Sequence, residues 1–137
     1  MARVGNRTDR GGYMLGSWKE LGGDDTRDYV ERQVIATDRI TVIRCVYRAG
    51  TDFPEHFHPQ EQMTIVEEGA LEFVVSGKAV LVRKGEMICV EPNTRHATRV
   101  ANGRGSAVAL NLFLRPAESH AGSSGGTGVG TVLSRPR

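Results

Sequence analysis

The stretch His56-Phe57-His58-Pro59-Gln60-Glu61-Gln62-Met63-Thr64-Ile65-Val66 holds two of the chain's four histidines and runs into an apolar, β-branched segment. In an extended strand residues i and i+2 project to the same side, so His56 and His58 are expected to present both imidazoles to one face. Pro59 has no N–H to give to a ladder and ends that strand. Extended structure resumes at Gln62-Met63-Thr64-Ile65-Val66. A third histidine, His96, opens a later strand after the turn residues Pro92-Asn93-Thr94-Arg95. Imidazole suits divalent ions such as Zn, Cu, Fe and Ni, yet two histidines at this spacing also occur on ordinary strands and decide little alone.

Outward from this stretch the chain reads as short strands separated by turn chemistry. RQVIA, RITVIRCVYRA, QMTIVEE, ALEFVVS, KAVLVR, EMICVE, HATRVA and SAVALNLFLR are rich in β-branched and apolar residues. AGTDFPE, EEGA, SGKA, RKGE, EPNTR and ANGRGS break them, and SGK predicts a tight hairpin. Long helical periodicity is absent; a short helical turn is placed around Asp25–Val30. Many short strands at even spacing predict an all-β sandwich or closed barrel. VIRCVY and LNLFL are apolar on both parities, whereas a strand with one solvated face should alternate. Both faces are therefore expected to be covered, one by the barrel interior and the other by a second sheet or a partner subunit; a homodimer is the economical explanation.

Spacing adds what the histidines alone lack. Gly50 is followed by five residues, His56-x-His58, three residues, Gln62, six residues and Gly69. Gly85 is followed by five residues, Glu91-x-Asn93, two residues and His96. The pair resembles the two motifs of the cupin superfamily, G(x)5HxH(x)3-4E(x)6G and G(x)5PxG(x)2H(x)3N. The motifs span about 50 residues, and the strand pattern is cupin-like over roughly 35–115. The resemblance implies a double-stranded β-helix, or jelly-roll barrel, holding one divalent metal ion through His56, His58, Gln62 and His96. The motif glycines are expected at turns with positive φ.

Three departures fall at turn or structural positions: Glu91, Asn93 and Val100 stand for Pro, Gly and the final Asn. The fourth bears on chemistry, because Gln62 stands where the pattern has Glu. An amide oxygen is neutral, so three His and a Gln leave the full +2 charge of an ion uncompensated, which strengthens it as a Lewis acid and weakens its retention. Glu61 is the rival ligand, but on a strand it faces away from Gln62. HxHPxEQ also resembles a cupin subgroup related to pectin-degradation ring-opening proteins, in which Gln is the ligand. Four protein ligands leave coordination positions for substrate or water. Zn, Ni, Fe and Mn are the candidate metals, with Zn favoured.

Other polar residues are weaker candidates. Arg44 and Asn111 interrupt apolar strands and are read either as inward substrate-binding groups or as structural ones; Tyr47 is read as a proton donor or, preferably, as core. Arg95 and Arg99 flank His96 and can meet an anion or simply be solvated. His120 lies in a Gly/Ser-rich stretch that makes a poor rigid site.

The 137 residues suit one domain: a loose arm at 1–12, a barrel at 13–118 and a Gly/Ser-rich tail at 119–137 whose last residues, TVLSRPR, form an edge strand or none. Cys45 and Cys89 are read as buried thiols, too few for a disulfide framework. The net charge of +2 sits in the tails: Arg3, Arg7, Arg10, Arg135 and Arg137 face only Asp9, leaving 13 basic and 15 acidic side chains on the body. That argues against a nucleic-acid partner. No leader-like h-region or membrane-length apolar run is present in the sequence, so a cytoplasmic protein without membrane contact is the expectation.

The resemblance implies an enzyme acting on a small molecule. In the favoured reading the metal is a Lewis acid on a carbonyl- or enol-rich substrate. The sequence is similar to small cupin-type cyclases of aromatic polyketide, and hence antibiotic, biosynthesis, and to uronate ring-opening cupins; cyclisation is preferred, with lyase or isomerase chemistry as neighbours. The alternatives are an iron- or copper-dependent dioxygenase, against which Gln62 argues, and a non-enzymatic ligand-binding cupin.

Overall fold

The computed structural model describes residues 12–22, 24–27, 30–101 and 105–114. Ten strands follow in order: β1 (Asp24–Arg27), β2 (Val30–Ala36), β3 (Ile40–Tyr47), β4 (Asp52–His56), β5 (Glu61–Glu68), β6 (Ala70–Val75), β7 (Lys78–Arg83), β8 (Met87–Val90), β9 (His96–Val100) and β10 (Ala107–Leu114). They form a six-stranded sheet, β1-β2-β3-β10-β5-β8, and a four-stranded sheet, β4-β9-β6-β7, with antiparallel pairing throughout. This is the jelly-roll barrel that the cupin resemblance implies, and it bears out the all-β barrel read from the strand pattern.

The turns follow backbone chemistry. Ser76-Gly77 closes the β6–β7 hairpin with both residues at positive φ (50° and 81°), the type I′ geometry that matches strand twist. The three motif glycines, Gly50, Gly69 and Gly85, all have positive φ, as expected. Gly69 is further constrained, since a Cβ there would lie 2.6 Å from the Ser106 carbonyl oxygen.

Interior residues change character along the strands. The inward side of β5 runs Gln62, Thr64, Val66; that of β9 runs His96, Thr98, Val100; that of β10 runs Asn111, Ala109, Ala107, all buried. One end of the barrel is thus lined by polar groups, while Val66, Leu71, Phe73, Val82, Val100, Ala107 and Ala109 belong to an apolar core. That core holds together the strands that carry the polar end.

Four expectations need correction. The helical turn expected around Asp25–Val30 is replaced by strand β1, whose backbone pairs with β2 (Asp24↔Arg32, Arg27↔Val30); the one short helix among the described residues is a 3-10 turn at Trp18–Glu20, with the Ser17 side chain accepting from the Lys19 N–H. The segment AGTDFPE, read as a break, contains β4, an edge strand that tolerates Pro54. The same strand ends at His56, so His58 lies in the connection after it. Cys45 is buried but Cys89 is exposed, because it falls on the outward parity of the edge strand β8. The arm at 1–12 apart from Gly12, the tail at 119–137, His120 and the expected TVLSRPR strand lie outside the described residues. Among the described residues no helix is long and apolar enough to cross a membrane.

The outer face of the large sheet carries the apolar residues of the opposite parity. Leu112 pairs with Val42 and Met63, Leu110 with Arg44 and Ile65, Met63 with Cys89, and Ile65 with Met87. Met87 and Leu114 are 44% and 46% exposed. At the β2 side Gln33 donates to the carbonyls of Trp18 (2.7 Å) and Leu21 (2.9 Å), which lays the N-terminal segment against that end of the sheet.

Candidate metal centre

Three local devices bring the histidines together. The first is a β-bulge. Phe53 pairs with Thr98 and His56 with His96, so β4 uses three residues where β9 uses two. The extra residue at Pro54-Glu55 reverses the parity of the strand beyond it. Phe53 and His56, an odd number of residues apart, therefore both line the pocket that His96 and Thr98 also line. The second is the turn before β9: Asn93 adopts φ 60°, a left-handed conformation that Asn accepts more readily than most residues. This explains how Asn serves where the family pattern has Gly. The third joins the two motifs, since the Asn93 N–H donates to the His58 carbonyl at 2.8 Å.

The rings lie close together, with centroid separations of 4.3 Å for His56–His96, 5.0 Å for His58–His96 and 5.6 Å for His56–His58. One nitrogen from each histidine can be chosen so that all three lie within 4.8 Å of one another. Each Nδ1 meets a main-chain carbonyl two residues away: Pro54 for His56 (3.0 Å), Gln60 for His58 (2.9 Å) and Thr94 for His96 (2.7 Å). His58 has an accepting oxygen at each nitrogen, the Gln60 carbonyl at Nδ1 and Gln62 Oε1 at Nε2, whereas in His56 and His96 the carbonyl at Nδ1 holds the proton there and leaves Nε2 a lone pair. That is the tautomer of an Nε2 metal ligand, with its orientation fixed by a second partner.

Two observations test whether the residues fit an ion. His96 Nε2 is the buried side-chain polar atom left without a hydrogen-bond partner among the described residues, a costly state for a polar group. Burial also pushes the His96 pKa below its usual 6.5, with the Thr94 carbonyl opposing and the neighbouring His56 and His58 adding to the depression, so the imidazole stays neutral and able to donate its lone pair. Gln62 supplies the second. Its amide N–H groups donate to Thr64 Oγ1 (2.9 Å) and Asn111 Oδ1 (3.4 Å), which turns Oε1 toward His58 Nε2 at 3.1 Å. His58 Nε2 donates to that oxygen or, as the Nδ1–H tautomer, sets a second lone pair against it that a cation between them would satisfy. The three histidines can hold a metal ion, and the donor set around them suits one.

Behind Gln62 lies a buried network. Thr64 Oγ1 donates to Asn111 Oδ1 (2.6 Å), and Asn111 Nδ2 donates to Tyr47 Oη (3.0 Å) and Cys45 Sγ (3.4 Å). Asn111 therefore joins the Gln62 amide to the Tyr47 phenol. Burial, followed by the adjacent Cys45, holds the Tyr47 pKa far above the ordinary phenol range against the hydrogen bond from Asn111. Tyr47 is a neutral phenol at any working pH. Burial likewise raises the Cys45 thiol.

The pocket has a volume of about 190 Å³, below the ~300 Å³ at which drug-sized ligand sites begin. Tyr47, Asn111, His56, Gln62 and His96 line it, with Ile43, Phe53 and Phe113 as apolar wall. Arg44 does not. It lies on the opposite parity of β3 from Ile43, Cys45 and Tyr47, and its Nη1 donates to Gln33 Oε1 at 3.3 Å. Sequence reasoning missed Arg32, which lines the pocket from β2 opposite Cys45; the alternation Val30-x-Arg32 was the available signal. Glu61 is exposed while Gln62 is 5% exposed. Arg95 pairs with Glu55 (3.4 Å) and lies over the Phe57 ring, and Arg99 pairs with Glu72, so both arginines are engaged outside the pocket.

A two-sheet jelly roll with a three-histidine cluster at its polar end defines the class. Residues 43–113 match the cupin domain family, and the chain belongs to it. No curated protein sequence matches the chain. Among solved structures it is similar to KdgF from Halomonas sp. (19% identity, 72% of this chain and 91% of that one, TM-score 0.66). It is similar also to the polyketide cyclase RemF from Streptomyces resistomycificus (18% identity, 74% and 79%, TM-score 0.65). A third is hydroxypropylphosphonic acid epoxidase from S. wedmorenis (20% identity, 80% and 63%, TM-score 0.69). At these identities the likeness is one of fold.

Proposed function

We propose that this chain is a metal-dependent enzyme in which His56, His58, His96 and Gln62 hold one divalent ion, zinc foremost. The observation that carries the reading is the buried His96 Nε2, without a hydrogen-bond partner among the described residues, in a cluster with His56 and His58 beside the Gln62 amide oxygen. When bound, the ion would supply Lewis acidity toward a carbonyl or enol oxygen, undiminished by any carboxylate ligand. Within the pocket Ile43, Phe53 and Phe113 exclude water and favour an apolar carbon skeleton. Tyr47, held by Asn111, is placed to keep or deliver a proton as a neutral donor. Asn111 itself, its amide engaged on both sides, is a positioning residue for Gln62 and Tyr47.

The reaction best suited to this arrangement is non-redox rearrangement of a small carbonyl- or enol-bearing molecule. Ring closure of an aromatic polyketide intermediate, with one end of the chain entering the pocket, is the favoured case. Sugar ring opening is the neighbouring one. The test is turnover of such substrates by metal-loaded protein, with an oxygen electrode in the same vessel. Activity that disappears on chelation and returns with metal, without oxygen uptake, is expected; turnover by metal-free protein, or stoichiometric oxygen consumption, would contradict the proposal.

We also propose that the chain acts as a homodimer through the outer face of β3, β10, β5 and β8. Three strands of eight residues and the four-residue β8 at ~4.8 Å spacing make a face of about 440 Å². An apolar centre of that size within a patch of ~800 Å² per partner has the proportions of a homodimer interface. A second copy meets Val42, Leu110, Leu112, Met63 and Ile65 with the same apolar residues. Sedimentation at several concentrations should give twice the chain mass; a monomer at high micromolar concentration would refute the interface.

A further inference from the structure

Behind the candidate metal centre, Thr64 stands between two amides. Its hydroxyl accepts from Gln62 Nε2 (2.9 Å) and donates to Asn111 Oδ1 (2.6 Å), and Gln62 Nε2 also reaches Asn111 Oδ1 directly (3.4 Å). On its far side, Asn111 Nδ2 donates to Tyr47 Oη (3.0 Å) and Cys45 Sγ (3.4 Å). An amide carries its oxygen on one side and its hydrogens on the other, while a hydroxyl has a single hydrogen to give. Turning Gln62 over alone would set its oxygen against that of Asn111, with one Thr64 hydrogen between them. Turning Asn111 over alone would set two NH2 groups face to face and leave the Thr64 hydrogen no amide oxygen to bind. Thr64 is fully buried, and Gln62, Asn111 and Tyr47 are each 5% exposed, so either mismatch is costly. The two amides can only turn together.

We propose that Thr64 and Asn111 link the two ends of the site: the orientation that presents the Gln62 oxygen to the histidines is also the one that leaves the Tyr47 hydroxyl hydrogen for a carbonyl oxygen in the pocket. The histidine half rests on the metal reading above; the link between the amides belongs to the chain itself. In this orientation Asn111 gives Tyr47 a hydrogen and takes none back, so the phenol donates elsewhere. Cys45 is its acceptor within the chain. Burial raises both groups, and their shared hydrogen bond then acts in opposite senses, lowering Cys45 and raising Tyr47, as it does when the phenol donates and the sulfur accepts. Sulfur is a weak acceptor, and a carbonyl oxygen entering the pocket that Tyr47 lines is a better one. In the reverse orientation Asn111 Oδ1 would hold that hydrogen, and the Gln62 NH2 would face the histidines. Thr64 and Asn111 are thus positioning residues, and whatever fixes one end fixes the other.

The test reads both amides by NMR in the isotope-labelled full chain, zinc-loaded and metal-free. With zinc, cross-relaxation should place the Gln62 amide hydrogens against Thr64 and those of Asn111 against the Tyr47 ring. Without zinc, either that arrangement or its full reverse is expected, with only one of the two amides turning its hydrogens to Thr64. Both amides, or neither, doing so in either state would overturn the link. Zinc affinity by equilibrium competition gives a second readout. Asn111→Leu and Thr64→Val should each weaken it about 10-fold, and the double variant should lose no more than the weaker-binding single one, because both cut the same link. Asn111→Asp, whose carboxyl accepts from Thr64 and Gln62, should stay within about 3-fold of wild type, with circular dichroism melts confirming that each variant folds. Losses that multiply in the double variant, or wild-type affinity in Asn111→Leu, would also overturn the proposal. The metal reading is scored separately: a wild-type chain that binds no zinc while its amides stay matched would retain the link and reject the metal.

Discussion

The two faces of the large sheet invert the usual arrangement. On β5 the inward residues are Gln62 and Thr64 and the outward ones Met63 and Ile65; on β10 Asn111 points in between outward Leu110 and Leu112. A monomer folding only to hide apolar surface would place these sets the other way round. Except for His96 Nε2, the polar groups inside are engaged: Gln62, Thr64, Asn111 and Tyr47 form one continuous hydrogen-bonded chain ending at His58. The apolar groups outside, Met63, Ile65, Leu110 and Leu112, are half-buried. The inner face carries the candidate site and the outer face is the one proposed as a contact, and alternate residues of the same strands form each.

The comparison breaks first at the histidines. His96→Ala should abolish divalent-metal binding measured by equilibrium competition, with a loss exceeding ~100-fold, because it removes the buried donor without a protein partner. Next come two neighbours on β5 with opposite parity. Gln62→Ala should weaken metal binding by at least ~10-fold, whereas Glu61→Ala, on an exposed side chain, should leave it unchanged; the reverse result would move the fourth ligand. A further pair lies on β10. Asn111→Ala should cost about 2–3 kcal/mol in denaturant unfolding by leaving Tyr47 and Gln62 partly unsatisfied. Leu112→Asp should instead convert the proposed dimer to monomer and leave metal content intact.

The smallest expected effect is of pH. The folded state depresses the His96 pKa below 6.5, so it binds that proton less readily than the unfolded chain. Stability of metal-free protein should hold steady above about pH 6.5 and decline as pH falls below it, in thermal melts that His96→Gln makes flatter.

The barrel and its turns were legible because strand alternation and turn chemistry are local. The SGK hairpin and the positive φ at Gly50, Gly69 and Gly85 follow from residue type and spacing. Parity errors account for the rest. Arg44 looked like an inward polar group because it interrupts an apolar run, but on β3 it is the apolar residues Val42 and Val46 that share its outward face. The sheet is apolar on its outside, and that inverts the inference. The bulge at Pro54-Glu55 is likewise invisible in the sequence, since its register is set by pairing with β9, a strand far along the chain. The shared face of His56 and His96 depends on it. Arg32 escaped notice because its strand begins after a polar stretch and carries charge on both parities.

The most direct test of the central claim is the metal content of the purified full chain after dialysis against trace divalent ions, measured by mass spectrometry alongside His96→Ala. One ion per chain in the wild type and none in the variant is the predicted result. A wild-type chain without metal, or a His96→Ala chain that retains one, would contradict it.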